Sequence, residues 1–471
     1  MSFYLLLTTL LHAAILGAAT LRLTLRENIS SPARLAWFIV VLTLPVAGAV
    51  LYLFLGETFL SRGLRRRHAA LAPQIRQLAL PGPEITPTPP APFRYGRSIN
   101  GFPPVAGNHA RLWDEGETRA AMIADIDAAT TAVNLAYYIW LPDRTGTAVA
   151  QALIRAAGRG VRCRAMADHL GSRALIRSPL WRQMQAAGVD LRVAMPPQTL
   201  LGLPILTRPD LRNHRKITVI DGQTAWIGSQ NCADPEFSPK ARFGPWIDIM
   251  LRVTGPVVNQ ITLIFASDWC LEGDGALTDF ALPAMPQPDG ITAQARATGP
   301  LERPDSASQM FCTLIEQAQD ELTLSTPYFV PDVPVLHALK SAARRGVRVS
   351  LILPRRNDSR IVQAAARGNY RGLLQAGVAI FEHGPGLLHA KTLTIDGDLS
   401  FIGSTNLDMR SFDLNFENDL LLRDAALTQA IRARQGAYIA QSERVALDAV
   451  RAWSPLRRAW NNLLATLGPV L

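Results

Sequence analysis

The hydrophobic pattern divides the chain into three stretches with different periodicities. Residues 3–21 and 35–55 are almost unbroken apolar runs, the second 21 residues long with no charged side chain. At 1.5 Å per residue each approaches the length of a bilayer's hydrocarbon core. Trp37 and Tyr52 lie near the two ends of the second run, where amphipathic rings favour the interface. A cleaved signal peptide is a weaker reading of the first run, which lacks a basic leader and is followed at once by the second. The pattern therefore predicts a two-helix transmembrane hairpin over residues 1–60. Residues 61–108 follow as a basic juxtamembrane and Pro-rich linker. Pro81, Pro83, Pro87, Pro89, Pro90, Pro92, Pro103 and Pro104 argue for extended backbone over 81–104, without helix or central strand.

Beyond the linker, apolar strands alternate with helix-period segments, and the order occurs twice. Tyr138-Ile-Trp-Leu-Pro-Asp143 leads through a helical stretch to Gly160-Val-Arg-Cys-Arg-Ala-Met166, and then to Ala187-Gly-Val-Asp-Leu191. Tyr328-Phe-Val-Pro-Asp332 leads likewise to Gly346-Val-Arg-Val-Ser-Leu-Ile352 and to Ala376-Gly-Val-Ala-Ile380. Glycine after a helix followed by a β-branched strand is a helix stop and strand start. Strand–helix–strand alternation implies an α/β fold with a largely parallel sheet. The repeats are assigned to 109–285 and 286–471. The first is longer between its tyrosine and its histidine, with the extra residues expected near 170–185 and 196–210.

Each repeat ends in the same polar constellation. The first reads Asn213-His214-Arg215-Lys216, then Asp221-Gly222, then Gly228-Ser229-Gln230-Asn231; the second reads Leu388-His389-Ala390-Lys391, Asp396-Gly397, Gly403-Ser404-Thr405-Asn406. Both fit a strand, a Gly-containing turn and a returning strand. Positions two apart share a strand face, so imidazole and ammonium project together, as do Ser and Asn on the return. Two such hairpins supply two imidazoles and two ammonium groups to one anionic centre. That set suits phosphodiester chemistry: one neutral imidazole attacks phosphorus and the other, protonated, serves the leaving oxygen. Lys216 and Lys391 would neutralise the non-bridging oxygens, with Ser229, Asn231, Ser404 and Asn406 as phosphate-binding hydrogen-bond partners. Asp221 and Asp396 complete the catalytic motif set, but their strand parity is opposite to the histidines', which predicts structural positions near the turn. A lone His-x-Lys would be an ordinary hairpin; the full pattern repeated in matching contexts is specific.

Composition sharpens this picture. The formal charge is +10, and all but four of the 48 basic residues are Arg. The exceptions are Lys216, Lys240, Lys340 and Lys391, two of which stand in the motifs. A cationic chain seeks anionic lipid or nucleic acid. Cys163, Cys232, Cys270 and Cys312 are scattered, which predicts free thiols rather than a disulfide or zinc framework. The motifs offer no carboxylate cluster, so no metal and no cofactor are expected.

The paired His-x-Lys-x4-Asp motifs resemble the signature of the phospholipase D superfamily, over roughly residues 110–450. The apolar runs and the phrases Leu35-Ala-Trp-Phe38, Tyr137-Tyr-Ile-Trp-Leu-Pro142, Gly244-Pro-Trp-Ile-Asp248 and Asn406-Leu-Asp-Met-Arg-Ser411 are similar to its bacterial cardiolipin synthase branch. The resemblance implies a duplicated α/β/α sandwich with one active site shared at a pseudo-twofold interface. It implies phosphatidyl transfer between two phosphatidylglycerol molecules through a phosphohistidine, at the bacterial inner membrane. It also implies anionic lipids rather than nucleic acid as partners. Separately, Arg62, Arg65, Arg66 and Arg67 after the second run, against Arg22, Arg26 and Arg34 between the runs, put the catalytic body on the cytoplasmic side by the positive-inside rule. Spacing leaves either histidine as nucleophile; the resemblance favours His214, with His389 as acid. It further implies that a downstream acid orients each histidine: Glu417 in the second repeat and Asp248 in the first. A hydrolase or nuclease could carry the same site, and an inactive scaffold would have no need of intact motifs in both repeats.

Overall fold

The computed structural model describes residues 3–466, apart from 28, 30, 58–59, 80–89, 114, 198, 201–202, 205–209, 281–284 and 287–288. Two compact units result: Met1–Arg62 with Pro197–Asp210, and a body of Gly63–Pro196 with Leu211–Pro469.

In the N-terminal unit, Phe3–Leu25 forms one helix, and its Leu6–Leu25 stretch is long and apolar enough to cross a membrane. The second apolar run is not one continuous helix. It forms Ser31–Thr43, breaks at Leu44, resumes over Pro45–Leu51 and ends in a π-helical turn, Tyr52–Gly56. Pro45 accounts for the break, because it has no amide hydrogen to continue the helical bonding from the preceding turn. Arg22 pairs with Glu57 at 2.6 Å, and Trp37 meets Tyr52 edge-on at 5.4 Å, so the broken segment folds back beside the first helix. In Pro197–Asp210, Thr199–Leu200 pairs antiparallel with Leu203–Pro204.

The body opens with helix Arg62–Leu78, which buries Ile75 and donates from Arg67 to the Leu271 carbonyl at 3.2 Å. Residues 91–100, expected to be extended, are helical. Pro90 is the N-cap and Pro92 lies in the first turn, where a missing amide hydrogen breaks no helical bond. The remaining prolines at 81, 83, 87 and 89 lie outside the described residues. Helix Pro455–Thr466 buries Leu464 against Val330, Ala364 and Ala365, which docks the C-terminal segment on the body. All four cysteines are free thiols.

The central sheet has mirrored halves. Outward from the middle, the first half runs Val105–Leu112, Met250–Thr254, Thr224–Gly228, Lys216–Ile220, Ala132–Tyr137, Arg162–Asp168, Asp190–Ala194. The second runs Ile291–Thr298, Asn415–Arg423, Leu399–Gly403, Thr392–Ile395, Glu321–Ser325, Arg348–Pro354, Ala379–His383. The innermost strands pair antiparallel, Val105 opposite Ala293 and Asn108 opposite Ile291, as a pseudo-twofold axis between equivalent strands requires. The sheet is mixed rather than largely parallel. Along the path, parallel pairing is confined to three neighbouring strands in each half, which helical crossovers join; the other neighbours are antiparallel, including the edge strand Ser442–Arg444 beyond Ala379–His383. Gly160 and Gly346, at φ +86° and +97°, end the helices as their positions predict. The extra length of the first half lies between Ala194 and His214, against the short connection from His383 to His389. The 170–186 stretch, two short helices, is the counterpart of helix Arg360–Gln375 and not an insertion.

Asp221 and Asp396 stand in the hairpin turns, at φ +52° and +47°. Asp221 accepts from the amides of Thr130, Thr131 and Ala132 at 2.7–2.9 Å. Asp396 accepts from Gln319, Asp320 and Glu321, each at 2.9 Å. Each carboxylate thus clamps the motif turn to the start of the neighbouring strand, at the end of the hairpin remote from the histidine. Burial raises the Asp221 pKa, but the three amides outweigh it and hold the group below its ordinary value. Its contribution is therefore present above the unfolded carboxylate pKa and lost as pH falls through the lower folded value. Asp221→Ala should cost about 1–3 kcal/mol of stability. In thermal unfolding scans that loss should shrink progressively at acid pH.

Candidate active site

The motif hairpins form because β-branched runs, Lys216–Ile220 and Thr392–Ile395, fold back over Asp-Gly turns onto Thr224–Gly228 and Leu399–Gly403. The histidines stand just before these strands, where the chain leaves its own half. Arg212–Asn213 pairs in parallel with Asn415–Phe416, and Leu387–Leu388 pairs in parallel with Trp246–Ile247. The His214 amide donates to the Phe416 carbonyl at 2.9 Å, and the His389 amide donates to the Ile247 carbonyl at 2.8 Å. The residue after each acceptor is an acid, and it meets the histidine of the opposite half. His214 Nδ1 lies 2.8 Å from Glu417 Oε2, and His389 Nδ1 lies 2.6 Å from Asp248 Oδ1. Asp248 and Glu417 are the acids in contact with the histidines, but each meets the histidine of the opposite half, which overturns the expected pairing. Sequence order pairs each acid with its own half, whereas the short parallel bridges exchange them.

With Nδ1 of each ring engaged by a carboxylate, Nε2 is the nitrogen left for chemistry. The ammonium of Lys216 donates to the carbonyl of His214, and that of Lys391 to the carbonyl of His389 at 2.7 Å. Both lysines are buried. Ser229 Oγ donates to Asp248 at 2.7 Å and accepts from the Ile249 amide at 3.0 Å. Ser404 Oγ likewise donates to Glu417 at 2.5 Å and accepts from Asn418 at 2.9 Å. The serines, expected on the phosphate, are thus spent on holding the orienting acids. Asn231 Oδ1 accepts from the Ile139 amide at 3.3 Å, and Asn406 Nδ2 donates to Ser411 Oγ at 3.1 Å. In this arrangement the asparagines brace loops beside the site.

Several residues join the site that motif spacing did not single out for it. Asn415 donates to Glu417 Oε1 at 3.1 Å, and Asn418 Oδ1 accepts from the Lys216 amide at 3.0 Å. Trp246 lies 4.4 Å from the His389 ring, and Tyr138 lies 4.9 Å from His214. Tyr138 matches Tyr328 across the repeat, and that match is the signal that could have placed it in a pocket. The surroundings of the two histidines differ. Beside His214, Arg212 pairs with Asp168 and Arg215 with Asp268, each at 3.3 Å; beside His389 stand Leu387, Leu388 and Ala390.

Electrostatics follow from enclosing so many cations. Burial, then Lys216 and Lys391, push His214 well below the ordinary imidazole value. Burial and Lys391 lower His389 to about 4, against the pull of Asp248. Burial lowers Lys216 to about 8 and Lys391 to about 7. Asp248 is held well below the carboxylate range: His389 and Lys391 outweigh the opposing effect of burial. Glu417 goes the other way, raised to about 7 because burial outweighs Lys216 and Ser404. An anion between the histidines would relieve the repulsion and raise the affinity of both imidazoles and both amines for protons. The arrangement can therefore bind a phosphodiester, attack it with one imidazole and protonate its leaving group with the other. Among the described residues, no cluster of three His, Cys, Asp or Glu side chains could hold a metal ion.

Known proteins share this architecture. The solved phosphatidylserine synthase of Haemophilus influenzae superposes with a TM-score of 0.58 over 80% of this chain and 99% of its own, at 14% identity, which establishes likeness of fold. The N-terminal unit matches the phospholipase D-nuclease N-terminal family over residues 14–57. The body matches the family described as cardiolipin synthase, PLD-like domain, over residues 122–269 and 311–435. Cardiolipin synthase A of Klebsiella pneumoniae strain 342 is 35% identical over 96% of this chain and 95% of its own length. That of Cronobacter sakazakii is 36% identical over the same shares. Two family matches straddling the crossed histidines, and near full-length likeness to these relatives, lead to one conclusion: the chain belongs to the cardiolipin synthase family of phospholipase D-like proteins.

Proposed function

We propose that this chain is a phosphatidyltransferase that joins two phosphatidylglycerol molecules into cardiolipin and releases glycerol. The observation that carries the reading is the crossed pair of His–acid contacts, which merges two motifs into one site in a chain with a membrane-length apolar helix. In the first step His214 Nε2 attacks the phosphorus of the donor lipid. The bond to the glycerol oxygen breaks, and His389 Nε2 gives its proton to that oxygen. In the second step the primary hydroxyl of another phosphatidylglycerol gives its proton to His389 and attacks phosphorus. The P–N bond breaks, and His214 is restored. Lys216 and Lys391 stabilise charge on the non-bridging oxygens throughout.

The two orienting acids support this division of roles. Asp248 remains ionised and so favours an imidazolium on His389. Glu417, raised to about 7, supplies less charge to His214 and leaves it neutral for attack. Membrane association keeps lipid alcohols near the site and favours transfer over hydrolysis by effective concentration. The lipid substrates are anionic membrane phospholipids. We further infer a multi-pass inner-membrane anchor with the body on the cytoplasmic side. Arg62, Arg65, Arg66 and Arg67 follow the second apolar run, slightly outnumbering Arg22, Arg26 and Arg34 between the runs.

Purified full-length protein in detergent–lipid mixtures should convert labelled phosphatidylglycerol to cardiolipin plus glycerol, with or without chelator. Phosphatidic acid as the sole product would instead make water the acceptor. His214→Ala and His389→Ala should each lower turnover by ~10³-fold or more, with little further loss in the double variant. Half of the rate surviving in each single variant would mean two independent sites and refute the shared one.

The roles separate with phosphatidyl-p-nitrophenol, whose leaving group departs without a proton. His389→Ala and Asp248→Asn should recover much of their first-step rate on it and accumulate phosphohistidine at residue 214. His214→Ala should recover none. Recovery by His214→Ala would reverse the assignment.

The basic limb of the kcat/KM profile should fall as pH rises through 7 to 8, as Lys391 and Lys216 lose protons. Lys391→Arg, which keeps its charge, should lower the maximum but shift that limb upward. On the acid side His214 itself takes up a proton only well below pH 6.5, so the acid limb should be set by Glu417, whose carboxylate is lost as pH falls through about 7.

A further inference from the structure

The loop from Asp234 to Trp246 belongs to the first half but reaches the second half-site. Trp246 lies 4.4 Å from the His389 ring, and Phe237 packs on Trp246 at 4.1 Å. Between these two rings, Ser238–Phe243 forms a short 3-10 turn. Its Pro239, Lys240, Ala241, Arg242 and Phe243, together with Asp358 of the second half, line an open cavity of about 310 Å3. The Lys240 ammonium reaches Asp358 Oδ2 at 2.5 Å, and the Tyr328 hydroxyl donates to Asp358 Oδ1 at 2.9 Å. Asp358 is buried at 2% side-chain exposure, while Lys240 stays 47% exposed. Tyr328 thus holds the buried carboxylate independently of Lys240, whose side chain remains half-exposed to the cavity's opening. Arg242 is exposed beside it, with its guanidinium 4.6 Å from the Phe243 ring centroid.

A transfer between two phospholipids presents two phosphodiesters. Lys216 and Lys391 are both committed to the reacting one, leaving the acceptor's own phosphodiester to be neutralised elsewhere. On the mechanism above, the acceptor hydroxyl gives its proton to His389, so it arrives from that side. Its phosphodiester is then held a glycerol's length away, outside the His389 pocket.

We propose that the cavity lined by Lys240 and Arg242 seats the phosphodiester of the acceptor phospholipid, and so selects a lipid alcohol over water or free glycerol. The proposal rests on the transfer reading, and the test separates the two. Full-length protein in mixed micelles is assayed for cardiolipin formation and, in parallel, for exchange of radiolabelled glycerol into phosphatidylglycerol. Exchange uses the same histidines, but its acceptor carries no phosphate.

In Lys240→Gln/Arg242→Gln the ratio of cardiolipin formation to exchange should fall ~10-fold or more, as expected for lost charge-assisted hydrogen bonds, with the loss in KM for the acceptor. Lys240→Arg/Arg242→Lys should regain most of it. Equal loss of both activities, or a ratio within about twofold of wild type, would overturn the subsite. Millimolar inorganic phosphate should leave the wild-type ratio in place; a fall in wild type but not in the variant would assign the cavity to a soluble anion instead. Wild-type exchange without any cardiolipin would refute the transfer reading itself, and this subsite with it.

Discussion

The crossed contact between each imidazole and the carboxylate of the opposite half is the constraint on which the rest of this structure depends. Neither half holds an oriented histidine of its own. His214 needs Glu417, and His389 needs Asp248. Each contact is placed by a two-residue parallel bridge and a histidine amide bonded across the interface. All four groups are buried where the halves meet, so an oriented histidine exists only in the assembled body. The antiparallel seam between Val105–Leu112 and Ile291–Thr298 continues the same axis through the sheet.

Concentrating two ammonium groups and two imidazoles in one buried place is unfavourable without an anion. The protein answers by lowering the proton affinity of all four, which keeps the histidines neutral until a phosphodiester arrives. The serines add to this indirectly, since each fixes a carboxylate rather than the substrate. Symmetry of the motifs conceals unequal environments. Ionic pairs through Arg212 and Arg215 frame His214, whereas leucines and Trp246 frame His389. On the proposed roles, the nucleophile at His214 and the acid at His389, which serves two successive alcohols, have different needs. The cavity lined by Lys240, Arg242 and Asp358 is formed by the same loop that carries Trp246 to His389.

Much of this was legible in the sequence. The duplication and the alternation of strand and helix followed from periodicity. The pairing of imidazole with ammonium and the outlying position of Asp221 and Asp396 followed from strand parity. Such features are local: whether two side chains share a face depends only on their spacing along one element. Other expectations failed where a local rule met its exception. The proline-dense linker contains a helix because prolines in a first turn forfeit no bond. The second apolar run breaks because Pro45 sits inside it. The sheet is mixed because the motif hairpins insert antiparallel strands into each half.

Tertiary structure alone decided which acid serves which histidine, what the serines hold, and which aromatic ring covers each imidazole. It also decided that Lys240 and Asp358 meet across the halves to frame a cavity. The crossed His–acid pairs and the Lys240–Asp358 pair join residues more than a hundred positions apart, and their register is set by how the two halves of one sheet meet. By itself the sequence determined the chemical groups and the elements that carry them. Their pairing waited on the interface, because a carboxylate selects its imidazole by proximity after packing, not by order along the chain.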